Sequence, residues 1–204
     1  MPIERICELT GVEMAQLRDP EVRFSQTVFN RVVDLTYLQV GAGAAMAASL
    51  TVEAGHFNLL ELIARTAPTV ADGLQQGCRF FPLLHDGGRL IHEPAPRGGH
   101  VLRWLPPADY DVHRGCIELT FGVTMRGIRR ETGRDAIMPA EVWFSHEQPT
   151  DLTLHERVLG RALRFGMSET RMLFDRRVAS LPLTRKNSEV HAAAIRTAND
   201  ATED

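Results

Sequence analysis

Apolar and polar positions in the first eighty residues alternate at helical spacing. Ile3, Ile6, Cys7 and Leu9 recur on one face of a short helix over residues 3–9, and Gly11 is placed to end it. Pro20 breaks the chain. Ser25 is a good N-cap for a helix to about Val40, with Phe29, Val32, Val33 and Thr36 on one face. Gly41 and Gly43 bracket a small-residue segment, Ala42 to Leu50, which suits either a close helix–helix approach or a loop. Leu59, Leu60, Leu62 and Ile63 mark a helix over 57–64. Thr66-Ala67-Pro68-Thr69 stops it and caps another, over 70–80.

After Pro82 the period shortens to two. Residues 89–93 and 100–105 are strand-length, Arg97-Gly98-Gly99 supplies hairpin-turn chemistry between them, and Pro106-Pro107 ends the second strand. Residues 112–132 satisfy two periods. Ile117, Leu119, Phe121, Val123 and Met125 alternate as in a strand, yet Ile117, Phe121, Met125 and Ile128 recur as in a helix. The helix is preferred, because Gly133 then becomes its C-terminal cap.

Further on, residues 140–145 read as a strand, and Asp151 caps a helix to about Leu159. Residues 163–165 and 172–174 are short strands, and a last helix covers 188–198. These elements predict a single α+β domain over residues 1–196, with a mixed or antiparallel sheet of about four to six strands and helices mainly on one side. Residues 197–204 are polar and are expected to fray or to begin a linker. Strand order is not legible.

Composition narrows the function classes. At 204 residues and 44 % hydrophobic content the chain can bury a full core. No apolar run reaches membrane-spanning length, and the N-terminal residues lack the order of a secretory signal. Cys7, Cys78 and Cys116 are odd in number and far apart, which suits reduced thiols in a cytoplasm. The net charge of −3 lacks the basic excess of a nucleic-acid binder. All basic residues but Lys186 are arginine, which reflects codon bias rather than phosphate recognition.

Candidate chemistry is sparse. His85, His92 and His100 cluster in sequence, but His85 and His92 are an odd number of positions apart, and no His-Glu-x-x-His or Cys-x-x-Cys pre-organises a metal. His113, His146 and His155 are possible general bases, with Glu118, Glu141 or Asp151 to orient them. Ser145 and His146, being adjacent on a strand, face opposite ways. No nucleophile elbow, phosphate loop or nucleotide fingerprint is present, so neither catalytic residue nor cofactor is assigned. His146 is better read as a strand-end residue bonded to the turn at Gln148-Pro149. Arg126, Arg129, Arg130 and Arg134 suit the last turn of a helix, where cations are favoured. The large aromatics, Trp143 included, are expected in the core. A ligand pocket between helices and sheet would be lined by Phe57, Leu60, Phe80, Phe81, Trp104, Phe121 and Phe144, with Arg103, Glu118 and His146 as polar groups.

Two long stretches carry a resemblance. Gly55-His56-Phe57-Asn58-Leu59-Leu60 with Ala67-Pro68-Thr69-Val70-Ala71-Asp72-Gly73-Leu74, and Gly133-Arg134-Asp135 through Glu141-Val142-Trp143-Phe144, His155-Glu156-Arg157-Val158-Leu159-Gly160 and Leu181-Pro182-Leu183, resemble the N-terminal, arabinose-binding-type domain of AraC-type bacterial transcription regulators. The resemblance runs from Glu4 to Ala194 and departs mildly at His56 and Asn58, where Asp and Gly are usual. It implies a long helix over 112–132. It also implies a cytoplasmic sensor of a small molecule, commonly homodimeric, that controls a helix-turn-helix DNA-binding domain absent from these residues. The name does not fix the ligand, since relatives answer to amino acids and varied metabolites. Two other readings remain open. One is a ligand-free dimerisation or interaction module with a packed interior. The other is a cofactor-free hydrolase or lyase, which would need a cleft joining titratable groups such as His113 and Glu118.

Overall fold

A computed structural model of the protein describes residues 2–19, 22–85, 88–109 and 111–203. The expected break at Pro20 lies outside them. Six helices come first: α1 Ile3–Thr10, α2 Met14–Arg18, α3 Gln26–Val40, α4 Ala44–Thr51, α5 Asn58–Thr66 and α6 Val70–Arg79. Gly11 closes α1 in the left-handed conformation, φ 73°. Ser25 caps α3 by accepting from the Val28 amide, and Thr69 caps α6 by accepting from that of Asp72. The small-residue stretch is the helix α4, not a loop. The five-residue α2 carries no apolar period that would announce it; a capping box between Glu13 and Gln16 starts it.

The hairpin follows as β1 Arg89–Ala95 and β2 Gly99–Leu105, joined by a tight turn in which Arg97 has φ 61°. Then come α7 Arg114–Thr132, β3 Glu141–Trp143, α8 Thr153–Leu159, β4 Leu163–Arg164, β5 Thr170–Phe174, α9 Arg176–Ala179 and α10 Ser188–Glu203. The sheet order is β1-β2-β5-β3-β4, antiparallel except for the parallel pair β3–β4. The fold is therefore α+β with a mixed five-stranded sheet among the described residues.

Register decides which side chains enter the core. Leu90, Leu102, Trp104, Met172, Phe174 and Val142 share the inner face and are buried. The outer face is a charged ladder: Arg103 pairs with Glu93 and Glu169, and Arg171 with Glu169 and Glu141. Trp143 belongs to this outer face. The Arg171 guanidinium sits 3.5 Å from its ring centre, which corrects its assignment to the core.

The residues of α7 that allowed two periods are used twice. Ile117, Phe121, Met125 and Ile128 form its buried stripe, while Leu119 and Val123 are only half-buried on another face. Gly133 ends it at φ 65°. At Gly122 a Cβ would meet Ser49 Oγ at 2.5 Å, so only glycine lets α7 and α4 approach this closely.

The last helix runs beyond its expected end, to Glu203. Ala194 and Ala198 are buried with Ile63 of α5 and Phe80, a second small core separate from the main one. That docking gives residues 197–203 a reason to stay helical despite their polar composition. Asp204 lies outside the described residues.

Candidate functional site: an apolar cavity and a buried carboxylate

The cavity is built by the corner between α5 and α6. Thr66-Ala67-Pro68-Thr69 turns the chain sharply, and the segment around Pro182 locks the turn. The Val70 amide donates to Leu181 O at 3.0 Å, the Leu183 amide to Pro68 O at 3.2 Å, and Thr69 bridges Pro182. Gly73 permits the close crossing, because a Cβ there would meet Ala64 O at 2.8 Å. Held in this way, α6 packs on β1 while α5 and α6 stand away from α7, leaving a cavity of about 510 Å³.

Its wall is mostly apolar: Leu60 from α5, Leu74 and Cys78 from α6, Phe81 and Leu84 beyond it, Leu90 and Leu102 from the sheet, and Leu119 and Val123 from α7. Thr120 and Thr124 also face it, but each hydroxyl donates to the carbonyl four residues earlier. His85 lies across the Phe81 ring, with Nε2 3.1 Å from Cys116 Sγ. Burial pushes the thiols of Cys78 and Cys116 up to about 12, so neither carries thiolate at neutral pH. At one end, Glu61, Arg65, Arg130 and Glu131 form a charged group.

Of the ten residues expected around a pocket, Phe57, Leu60 and Phe81 line this cavity. The other seven lie elsewhere. Phe80 belongs to the small core under α10, and Phe121 and Phe144 pack against each other in the main core. Trp104 is behind the wall, edge-on to Phe81 and His85. Arg103 is on the outer sheet face. Glu118 and His146 meet, but away from the cavity.

That meeting is a buried polar cluster. Glu118 lies on α7 just where the helix passes α3 and α8, and its carboxylate accepts from Tyr37 Oη at 2.5 Å. His146 Nε2 stands 3.2 Å from Oε1, and His155 Nε2 3.3 Å from Oε2. Burial alone would raise the Glu118 carboxyl, but the hydrogen bonds and charges of His155, Tyr37 and His146 outweigh it and hold it below the ordinary value. Burial, reinforced by the Glu118 charge, drives the Tyr37 phenol strongly upward. Burial holds His146 below its usual range. Its Nδ1 pairs with the carbonyl of the next residue, Glu147 O, at 2.9 Å, and not with the expected turn at Gln148-Pro149.

His113 reaches this cluster only through Tyr37, whose ring it meets at 4.8 Å, and its Nε2 points to Asp34 at 3.3 Å. It also caps α7, with Nδ1 accepting from the Gly115 amide. His92 and His100 stack at 4.9 Å on the sheet, far from His85 in role, and no group of three or more His, Cys, Asp or Glu converges to hold a metal among the described residues. Arg129 donates to Ile137 O and Val158 O, and Arg126 to Leu50 O, so the arginines of α7 staple neighbouring segments.

Residues 1–183 match the family described as the arabinose-binding domain of AraC transcription regulators, N-terminal. Among solved structures, the transcriptional regulator CdpR from Pseudomonas aeruginosa has a similar fold, with a TM-score of 0.62 at 10 % identity. The likeness covers 95 % of this chain and 60 % of that one, so this chain spans about three fifths of that regulator's length. Among curated proteins none matches it significantly. No helix among the described residues is long and apolar enough to cross a membrane. The chain belongs to the family of N-terminal, arabinose-binding-type regulatory domains of AraC transcription regulators.

Proposed function

We propose that this domain is the effector-sensing part of an AraC-type regulator: a small molecule enters the cavity, and its presence is passed to an attached DNA-binding domain. The observation that carries the reading is the cavity of about 510 Å³, into which α7 directs a second apolar stripe, Leu119 and Val123, that the core leaves uncovered. Its size is that of a small-molecule site. A packed, ligand-free module has no use for such a void. Two of the acid–base groups that an enzyme could use, Glu118 and His155, are fully buried and lie away from this cavity.

Leu60 gives the signal a route. It lines the cavity and also packs against the small core in which Ala194 and Ala198 of α10 dock. A ligand that shifts α5 therefore shifts the seat of α10. A preference of about 1–3 kcal/mol for one arrangement suffices to switch an attached domain. In this reading the full regulator works in the cytoplasm as a homodimer and touches DNA only through its helix-turn-helix part.

The test is a thermal-shift screen of a broad metabolite library on the wild type and on Val123→Trp, which thrusts a large ring into the cavity from α7. At least one compound is expected to raise the wild-type melting temperature, and the variant should melt cooperatively without that shift. Absence of any shift, or a shift that Val123→Trp leaves intact, overturns the proposal.

A further inference from the structure

We infer that the molecule taken by this cavity is an amphipathic monoanion: an apolar body lies within the cavity, and one acidic group, a carboxylate being the simplest, sits on the guanidinium of Arg126. The inference rests on the receptor reading above and deepens it to a class of effector.

The apolar body follows from the wall. Leu60, Leu74, Phe81, Leu90, Leu119 and Val123 present side chains without a polar atom. The polar groups set among them are already bonded within the protein. Thr120 and Thr124 donate to carbonyls of their own helix, and His85 Nε2 lies 3.1 Å from Cys116 Sγ. A polar group placed here would lose its water and find few partners. Each methylene buried against this wall should instead tighten binding about fourfold.

The acidic group follows from the charges. Arg65, Arg126 and Arg130 line the cavity. Arg65 faces Glu131 at 3.6 Å, and Arg130 is paired with Glu61 at 2.6 Å and with Glu131 at 2.8 Å. Arg126 has no such pair among the described residues. Its Nη1 donates to the carbonyl of Leu50 in the last turn of α4, while Nε and Nη2 keep accessible surface and are bonded to nothing among the described residues. Of the carboxylates in the wall, Glu61 and Glu131 are taken by the other two arginines, and Glu53 stands in solvent on the link between α4 and α5. The wall therefore holds a half-buried cation whose charge the protein leaves unmatched. A carboxylate accepts from Nε and Nη2 together, the side-on fork of an arginine pair. Leu119, Val123 and Arg126 follow one another at i, i+4 and i+7 along α7, so a molecule held at Arg126 lays its apolar body along Val123 and Leu119.

Isothermal titration of the 204-residue protein with octanoate, octanamide and octylammonium, and with hexanoate and decanoate, each below its micelle concentration, tests both halves of the molecule. Octanoate should bind about tenfold tighter than octanamide, and octylammonium more weakly than either. From hexanoate to octanoate to decanoate, each step should tighten binding by about tenfold. Arg126→Gln should bring octanoate down to the affinity of octanamide and leave octanamide within about twofold of its wild-type value. If that variant does not melt cooperatively, the wild-type rankings of head group and chain length decide. Octanamide or octylammonium binding as tightly as octanoate overturns the assignment. So does a preference for octanoate that Arg126→Gln retains, an affinity indifferent to chain length, or octanoate binding that Val123→Trp leaves intact. Binding by none of these probes, when another compound gives a shift that Val123→Trp abolishes, also overturns it, and the receptor reading then stands. Absence of binding by these probes and of a shift from any library compound overturns both.

Discussion

Glu118 Oε2 stands 3.3 Å from His155 Nε2, and both side chains are fully buried. A carboxylate in that position is tolerable only because Tyr37 donates to it and His146 flanks its other oxygen. The cluster ties α3, α7, α8 and the end of β3 together. Glu118→Ala should therefore cost about 3–5 kcal/mol, since it strands Tyr37 and two histidines. Glu118→Gln keeps a partner for Tyr37 and should cost less. Urea denaturation monitored by far-UV circular dichroism measures both; a loss below about 1 kcal/mol for the alanine variant would show that the cluster does not hold these elements together.

Acid should unfold the domain in two stages. His146 is held below its ordinary value of 6.5 by burial, so the unfolded chain takes up the proton more readily and stability falls as the pH drops through 6.5. His92 and His113, lowered mainly by burial, add to the same window. The Glu118 carboxyl is held below its ordinary 4.5, so its contribution is complete above that value and is lost as the pH falls through the folded value. Urea midpoints from pH 8 to 2 should decline in this order. His146→Gln should shrink the first stage and, because His146 is one of the groups that hold Glu118 down, weaken the second without abolishing it; midpoints that rise on acidification would contradict both assignments.

Gly122→Ala should destabilise the domain by about 1–3 kcal/mol, because the added methyl meets Ser49 Oγ and Cβ at 2.5 and 2.6 Å. Replacing Ser49 by glycine in the same chain makes room and should restore most of the loss. Equal melting temperatures for the single and double variants would show that α4 and α7 do not touch here.

Ala198 has no exposed surface where α10 meets Ile63 and Phe80. Ala198→Arg should release α10, with amide exchange over residues 188–203 accelerating by at least about tenfold while the amides of β2 and β5 stay protected. In a full-length regulator the same substitution should uncouple effector binding from DNA binding. Unchanged exchange would mean that α10 is not held by this contact.

Signals that act within one or two turns of chain are legible in the amino-acid order alone. Ser25 and Thr69 cap α3 and α6, Gly11 and Gly133 end α1 and α7, and Arg97-Gly98 turns the hairpin. Each depends on a residue's own backbone preference or on a side chain bonded to an amide nearby. The family is legible for the same reason, since its motifs are turn and cap residues spaced along the chain. The elements α2 and α9 are too short to show a period, and the apolar pattern does not announce them.

Local chemistry along the chain thus specifies the α+β elements, their order and the family to which the protein belongs. The place of the candidate site is fixed by packing, because a cavity is made by what distant segments leave unfilled. Phe57, Leu60 and Phe81 can be picked out among its walls because large apolar residues near a helix corner are natural wall material. Arg65 and Glu131 cannot, since only the packing of the chain brings these two distant side chains together at its charged end. Glu118 stands out as a polar residue in an apolar pattern, but its partners are Tyr37, His146 and His155, from 28 to 81 positions away along the chain. Periodicity says which face of a helix is apolar, and packing alone decides whether that face meets core, cavity or solvent.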